Sequence, residues 1–322
     1  MLWALVFLAI GLTLLWKGAD VLVSGSVGLA ERMGVSQLIV GLTIVAMGTS
    51  APEVAASIAA ALAGKGDIAI GNVYGSNIAN LALVGGTIAL INPLQVQWRT
   101  LKREIPAMLV VALLLWPVLR DLTLSRPEAL LLAVVFAGLV LYTVRAARSQ
   151  GRVQPIAKLH HSPVTPPPHT VRRDILFMVA GLLGLALGAR MAIHGAVIIG
   201  TRIGLSDAVI GSTIMAIGTS LPELVTCVMA ALKGHHDISV GNLVGSNIFN
   251  TLLVLGTAGL IRPFTVGARF AGGVDYWIMI AVSTGFGLAL LLGNRKLGRP
   301  SGTALLAAYV AYLTYLLATG TT

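Results

Sequence analysis

The sequence predicts an all-α polytopic membrane protein: ten transmembrane helices in two inverted five-helix repeats, with the second and seventh helices broken. Three observations predict it. Of 322 residues, 56% are hydrophobic and only 11% charged, with a mean hydropathy of +0.89, which leaves too little polar surface for a water-soluble domain of this length. Charges, glycines and prolines divide the chain into apolar runs, each long enough for the roughly 20 residues that cross a bilayer as a helix. Finally, sliding the sequence by 170 positions lays 39–94 over 209–264 without a gap, with 29 identities in 56 positions that include Gly, Thr, Ser, Pro, Glu, Asp and Asn.

The spans are expected near 2–29, 36–63, 68–92, 105–124, 127–147, 174–201, 206–232, 237–261, 274–293 and 301–319. The first run continues past Val23 with no small-residue cleavage site, so it reads as a retained span and not a signal peptide. Between the fifth and sixth spans, Arg148 to Arg173 holds five prolines (Pro155, Pro163, Pro166, Pro167 and Pro168), basic residues and His160, His161 and His169. It has no periodic apolar face and reads as an extended linker, its histidines as solvated side chains. The chain thus divides into a first repeat at 1–147, a linker at 148–173 and a second repeat at 174–322. An odd number of spans per unit makes the second unit enter the membrane from the opposite side, an architecture whose sites lie at the midplane on interrupted helices.

A net charge of +10 would suggest nucleic acid for a soluble chain; here the cations report orientation. Loops after spans one, three, five, seven and nine hold fourteen Lys and Arg, the opposite loops six, and Lys17 and Arg190 lie within spans. The linker is therefore expected in the cytoplasm and both termini outside. The one cysteine, Cys227, precludes an intramolecular disulfide and reads as a packing residue.

Gly48-Thr49-Ser50-Ala51-Pro52-Glu53 recurs as Gly218-Thr219-Ser220-Leu221-Pro222-Glu223. A carboxylate near the middle of a span is costly, and points to a cavity or ion path. Pro52 and Pro222 have no amide hydrogen for the carbonyls of Gly48 and Gly218, so each span is expected to break there, which lipid tolerates only where the break faces protein or a watery cavity. In the following span Gly71-Asn72-Val73-Tyr74-Gly75-Ser76-Asn77-Ile78-Ala79-Asn80 recurs as Gly241-Asn242-Leu243-Val244-Gly245-Ser246-Asn247-Ile248-Phe249-Asn250. Ser76 and Asn80, like Ser246 and Asn250, are four apart and share one helix face. Gly71 and Gly75 are expected to admit a close neighbour, as are Gly181, Gly184 and Gly188.

Gathered at one midplane, these stretches supply two carboxylates, six hydroxyls and two to four carboxamides, with no imidazole or thiolate. Oxygen-only ligands suit Ca²⁺, Na⁺ and Mg²⁺, and adaptable oxygens in number favour Ca²⁺ over Mg²⁺, which demands a tight octahedron. Two glutamates neutralise one Ca²⁺ or a pair of Na⁺. Empty, the pair is an uncompensated buried charge, so obligatory loading favours exchange over leak.

The doubled motifs resemble the two α-repeats of the Ca²⁺/cation antiporters, specifically prokaryotic sodium/calcium exchangers. The resemblance implies four ion positions around the two glutamates, with the first and sixth helices sliding across a fixed core. It implies as ligands Thr49, Ser50, Glu53, Ser76 and Asn80 with Thr219, Ser220, Glu223, Ser246 and Asn250, assisted by the backbone carbonyls of Ala46 and Ala216. No resident cofactor is implied; Ca²⁺ and Na⁺ are cargo, the lipid bilayer of an inner or plasma membrane is the setting, nucleic acid is no partner, and a monomer suffices for transport. Some members, including potassium-dependent ones, carry Asp at the position of Asn80 or Asn250; Asn at both disfavours K⁺ cotransport. Cation/proton members usually show a GNAxE-like run in place of GTSxPE, which lowers the reading of Ca²⁺/H⁺ exchange and leaves it as the alternative. A channel lined by the same oxygens is a third reading. A membrane enzyme with Ser50 or Ser220 as nucleophile lacks a general base other than the glutamates.

Asn72, Asn77, Asn242 and Asn247 either ligate or brace the broken helices. Asp67 and Asp237, where the third and eighth helices start, are expected to cap them. Asp20 and Arg190 occupy matching repeat positions, and they and Lys17 are expected to snorkel, form salt bridges or touch a gate.

Overall fold

A computed structural model describes residues 2–151, 170–205, 210, 214 and 216–319. Helices dominate it in chain order: α1 (Leu2–Met33), α2 (Gln37–Thr49), α3 (Ala51–Leu62), α4 (Gly66–Ile91), α5 (Trp98–Lys102), α6 (Glu104–Val118), α7 (Arg126–Gly151), α8 (Val171–Arg202), α9 (Ala216–Thr219), α10 (Leu221–Leu232), α11 (His236–Ile261), α12 (Val274–Leu292) and α13 (Arg299–Thr319). By length and composition, seven of the described helices suit a membrane, eight when α2 and α3 count as one span bent by 45°. Large apolar side chains such as Leu2, Trp3, Trp116, Val134, Leu183 and Leu292 face outward, as a bilayer solvent permits.

Three helix boundaries differ from expectation. The helix expected at 105–124 stops at Val118: Pro117 sits in its last turn and Leu122 turns left-handed at φ 63°. Fifteen residues at 1.5 Å each span only about 22 Å. The helices flanking the linker run further than expected, to Gly151 and from Val171; the linker prolines and histidines lie outside the described residues, as do 206–209, 211–213 and 215 of the expected seventh span.

The two halves are stitched together at corresponding points. Strand β1 (Leu94–Gln95) pairs antiparallel with β4 (Lys296–Leu297), and β2 (Thr123–Leu124) with β3 (Phe264–Thr265). Asp67 and Asp237 do lie in the first turns of α4 and α11, but neither caps its helix. Asp67 Oδ1 accepts from the Gly267 amide at 2.7 Å and Asp237 Oδ2 from Gln97 Nε2 at 2.6 Å. The two aspartates are 170 apart, as are their partners, so equivalent positions meet in both halves, through a backbone amide in one and a side-chain amide in the other. The expected caps fail because a loop of the opposite half outcompetes the helix's own amides for the carboxylate.

Two apolar clusters fill the interior, a large one around α4, α6, α11 and α12 and a smaller one between α1, α8 and the helices they cover. Helices α1 and α8 lie antiparallel and almost in backbone contact. Gly11, Gly18 and Gly25 of α1 face Gly188, Gly181 and Asp174 of α8. These contacts lie within one chain. At the rim of this pair, Asp20 forms an ion pair with Lys233, which also donates to Ser24 Oγ at 3.0 Å. Asp20 thus uses the salt-bridge option of the three expected, while Lys17 and Arg190 are exposed. The Asp20–Lys233 pair is half-exposed, and such pairs contribute at most about 1 kcal/mol. Asp20→Asn is therefore expected to lower Tm, followed by tryptophan fluorescence in detergent, by less than about 3 °C.

Candidate functional site

Each hexapeptide folds as a break followed by a helix start. In the first, α2 ends at Thr49, Ser50 leaves helical geometry at φ −84°, ψ 9°, and α3 begins with Pro52 in its first turn. Ser220, at φ −88°, ψ 5°, and Pro222 repeat this ahead of α10. Proline is tolerated there because the first amides of a helix have no intrahelical acceptor. Glu53 and Glu223 therefore sit in the first turns of α3 and α10, where the positive end of the helix dipole favours a carboxylate.

Both glutamates are buried, each 1% exposed. The two motifs meet directly: Ser50 Oγ donates to Glu223 Oε1 at 2.9 Å. Ser76 Oγ lies 3.5 Å from Glu53 Oε1, and Thr49 Oγ1 donates to Asn242 Oδ1 at 3.2 Å, a contact from α2 to α11. Ser246 Oγ donates to the same Asn242 oxygen at 3.4 Å, and Asn80 Nδ2 to Asn247 Oδ1 at 3.2 Å. Six buried oxygens here have no hydrogen-bond partner, Glu53 Oε2, Glu223 Oε2, Asn77 Oδ1, Asn80 Oδ1, Ser220 Oγ and Asn250 Oδ1, against one unpartnered donor, Asn250 Nδ2. Buried polar atoms are ordinarily satisfied, and a group in which unsatisfied oxygens outnumber donors fits a cation. Among the described residues, no three His, Cys, Asp or Glu come together.

Of the ten side chains expected as ligands, Ser50 bonds Glu223 directly, Thr49 and Ser246 meet on Asn242, Ser76 lies against Glu53 within the first half, and Asn80 bonds Asn247 of the second; Ser220 and Asn250 are buried, and Thr219 is half-buried. The Ala46 carbonyl accepts the Ser50 amide at 3.1 Å and, more weakly, Thr49 Oγ1 at 3.4 Å. Ala216 opens α9, and the Ser220 amide turns to Ile217 at 3.1 Å, one residue later than the matching bond in the first half.

Three of the asparagines make bracing contacts. Asn72 Nδ2 holds the Glu53 carbonyl at 3.1 Å, and Asn77 Nδ2 and Asn247 Nδ2 cross between α4 and α11 to Thr251 Oγ1 and the Asn77 carbonyl. Asn80 and Asn250 stand in π-helical segments, Ala79–Val84 and Asn250–Val254, a geometry frequent at functional sites that no residue pattern announced. The close approach of glycines is seen in the second repeat. Gly241 and Gly245 are the ones in near-backbone contact, with a Cβ 2.6 Å from the Leu38 and Leu42 carbonyls. Among the described residues Gly71 meets only the Phe270 ring, and Gly75 nothing within 4 Å; the segment matching 38–42 falls at 208–212, outside the described residues except for Ile210. Cys227 is buried, as a packing residue would be, and Asn242 Nδ2 lies against its sulfur.

Comparison with known proteins agrees with this geometry. The sequence profile of the family described as sodium/calcium exchanger protein matches residues 3–145 and again 174–318. The chain is 41% identical over 315 residues to the putative antiporter CaxA of Alkalimonas amylolytica, covering 97% of this chain and 98% of that protein. It is 36% identical over 318 residues to the inner membrane protein YrbG of Escherichia coli, covering 98% and 97%, and 33% identical over 341 residues to the sodium/calcium exchanger MaX1 of Methanosarcina acetivorans, covering 96% and 97%. Among solved structures it superimposes on the sodium-calcium exchanger NCX_Mj soaked with 2.5 mM Na⁺ and 0.1 mM Ca²⁺, with a TM-score of 0.80 and 29% identity over 98% of each chain. The chain is a multi-pass membrane protein and belongs to the sodium/calcium exchanger family.

Proposed function

We propose that this protein is an antiporter that exchanges Na⁺ for Ca²⁺ across a cell's inner or plasma membrane by alternating access, with both ions competing for Glu53 and Glu223. The observation that carries this reading is the hydrogen bond from Ser50 to Glu223, which joins the two hexapeptides around buried carboxylates whose outer oxygens have no partner. Thr49, Ser50, Ser76, Asn80, Thr219, Ser220, Ser246 and Asn250, with the Ala46 and Ala216 carbonyls, complete the ion shells. Six to eight oxygens suit Ca²⁺, and two carboxylates balance its charge or that of two Na⁺. The names of MaX1 and NCX_Mj, both sodium/calcium exchangers, favour the same ion pair.

In this reading ten spans form two halves of opposite orientation. The twofold match of the family profile, the paired strands and the crossed Asp67 and Asp237 contacts all support it. The linker then lies in the cytoplasm and both termini outside, and one chain contains a complete site, so the monomer is the transporting unit. The test is isotopic Ca²⁺ uptake into proteoliposomes with Na⁺, K⁺ and H⁺ gradients imposed one at a time. Uptake is expected only with an outward Na⁺ gradient and should saturate with Ca²⁺. Uptake driven by an outward-directed proton gradient in the absence of Na⁺ would replace the reading with Ca²⁺/H⁺ exchange, and non-saturating flux without a counter-ion would replace it with a channel.

A further inference from the structure

We propose that Cys227 and Asn242 are positioning residues: a directed chain of hydrogen bonds running through them turns the oxygen lone pairs of Thr49 and Ser246 toward the transported ion. The inference rests on the ion-site reading above and concerns how two of its neutral ligands are aimed.

The direction is fixed at one end by an atom with no choice. The Ser239 carbonyl can only accept, and Cys227 Sγ lies 3.5 Å from it, so the thiol proton points there. With that proton committed, the sulfur faces Asn242 as an acceptor, and Asn242 Nδ2 lies 3.2 Å away. The carboxamide is thereby oriented, nitrogen toward Cys227 and oxygen away from it. Oδ1 then takes the hydroxyl protons of Thr49 at 3.2 Å and Ser246 at 3.4 Å. A hydroxyl has one proton and two lone pairs. Once the proton is drawn to Asn242, both lone pairs are left for a cation. The reversed amide would aim N–H groups at those same lone pairs and remove two neutral donors from the ion. Thr49 has two other acceptors within reach, the Ala46 carbonyl at 3.4 Å and the Glu223 carboxylate, and either would also leave its lone pairs open; Ser246 depends on Asn242 alone among the contacts made here, so the direction of the amide matters most for Ser246.

The first half repeats the first two links of this chain from different atoms, while its Ser76 Oγ turns to the Glu53 carboxylate. Ser57 Oγ donates to the Ala69 carbonyl at 3.2 Å, and Asn72 Nδ2 donates to Ser57 Oγ at 2.9 Å. Residues 57, 69 and 72 correspond to 227, 239 and 242 at the repeat offset of 170. The thiol therefore stands where the other repeat has a hydroxyl, and it does the same work of giving a proton to a backbone carbonyl while accepting from the asparagine. All four residues Ser57, Cys227, Ser239 and Asn242 are fully buried, and Ser239 Oγ returns a bond to the Cys227 carbonyl at 3.1 Å, which holds α10 and α11 in register.

A packing cysteine and a directing cysteine differ in what replaces them. Free cysteine packs as a small hydrophobe, so a packing role is served better by Ala than by Ser; a directing role is served by Ser and lost with Ala. The experiment measures Na⁺-dependent Ca²⁺ uptake in proteoliposomes, separating half-saturating Ca²⁺ from maximal rate. Cys227→Ala is expected to raise half-saturating Ca²⁺ about fivefold, the worth of about one net hydrogen bond, with little change in maximal rate. Cys227→Ser is expected to bring it back toward the wild-type value. Cys227→Val, which keeps the bulk and removes the donor, is expected to behave as Cys227→Ala does, and its ranking against Cys227→Ser decides the matter if Cys227→Ala does not fold. Ala or Val equalling or surpassing the hydroxyl or thiol at this position overturns the proposal while wild-type exchange stands. A wild-type protein without Na⁺-dependent uptake removes the ion-site reading and this inference together.

Discussion

Proteoliposomes containing Glu53→Gln are expected to show no Na⁺-driven uptake of Ca²⁺ at concentrations where the wild-type protein is saturated, with the variant still eluting as a folded, monodisperse species. Glu223→Gln is expected to do the same. The substitution keeps size and shape and removes one negative charge from a site that has only two. At an effective dielectric of about 20, two unit charges about 4 Å apart attract by about 4 kcal/mol, and a divalent ion doubles the attraction. Since about 1.4 kcal/mol is a factor of ten, losing one carboxylate weakens Ca²⁺ by about a thousandfold or more, even after the amide dipole restores part of it. Folding should not suffer in proportion, because Glu53 Oε2 and Glu223 Oε2 have no partner in the protein to lose. A neutral Gln is also cheaper to bury than a charge, so each variant is expected to be at least as heat-stable as the wild type without ions, and to lose the rise in Tm that added Ca²⁺ gives the wild type. Unchanged uptake in either variant would remove the shared-carboxylate mechanism.

The two glutamates were legible because duplication made a costly residue recur, and the contact between Ser50 and Glu223 is what two copies of one break facing each other produce. Proline marked both breaks correctly for a local reason, its missing amide. What could not be read was anything set by the partner element. The offset of 170 says which residues are equivalent, not which touch. Asp67 looked like a cap by its position and proved to be held by a loop 200 residues away, and nothing local to Cys227 in its apolar run shows that Asn242 stands beside it. The π-helical segments at Ala79–Val84 and Asn250–Val254 are a response to packing, and no residue type encodes them. Glycine spacing gave the existence of a close contact in α8 without its address, which proved to be α1.

That address yields the other large expected effect. A Cβ on Gly188 would stand 2.7 Å from the Leu15 amide nitrogen and 2.8 Å from the Gly11 carbonyl oxygen; one on Gly11 would stand 2.5 Å from the Ala192 nitrogen. These are backbone atoms, so no rotamer change relieves them, and the two helices must separate. In a bilayer, van der Waals packing and not water exclusion holds such a pair together, so separation forfeits the contact along much of its length. Gly188→Leu is expected to abolish uptake and to lower Tm by about 10 °C or more, on the scale of overpacking costs of about 1–3 kcal/mol or more, and Gly188→Ala to fall between that and the wild type. Gly138→Ala on α7, where a Cβ meets nothing within 4 Å among the described residues, is the control and is expected to leave both properties unchanged, since Ala favours a helix over Gly. The gradation separates this account from a general intolerance of α8. If width at the α1–α8 contact is what matters, loss should follow side-chain volume at Gly11, Gly18, Gly181 and Gly188 alike, and Leu at exposed Leu183 or Leu187 should be replaceable by Ala with little effect. Gly188→Leu with normal uptake and Tm would show that the helices do not touch as closely in the membrane.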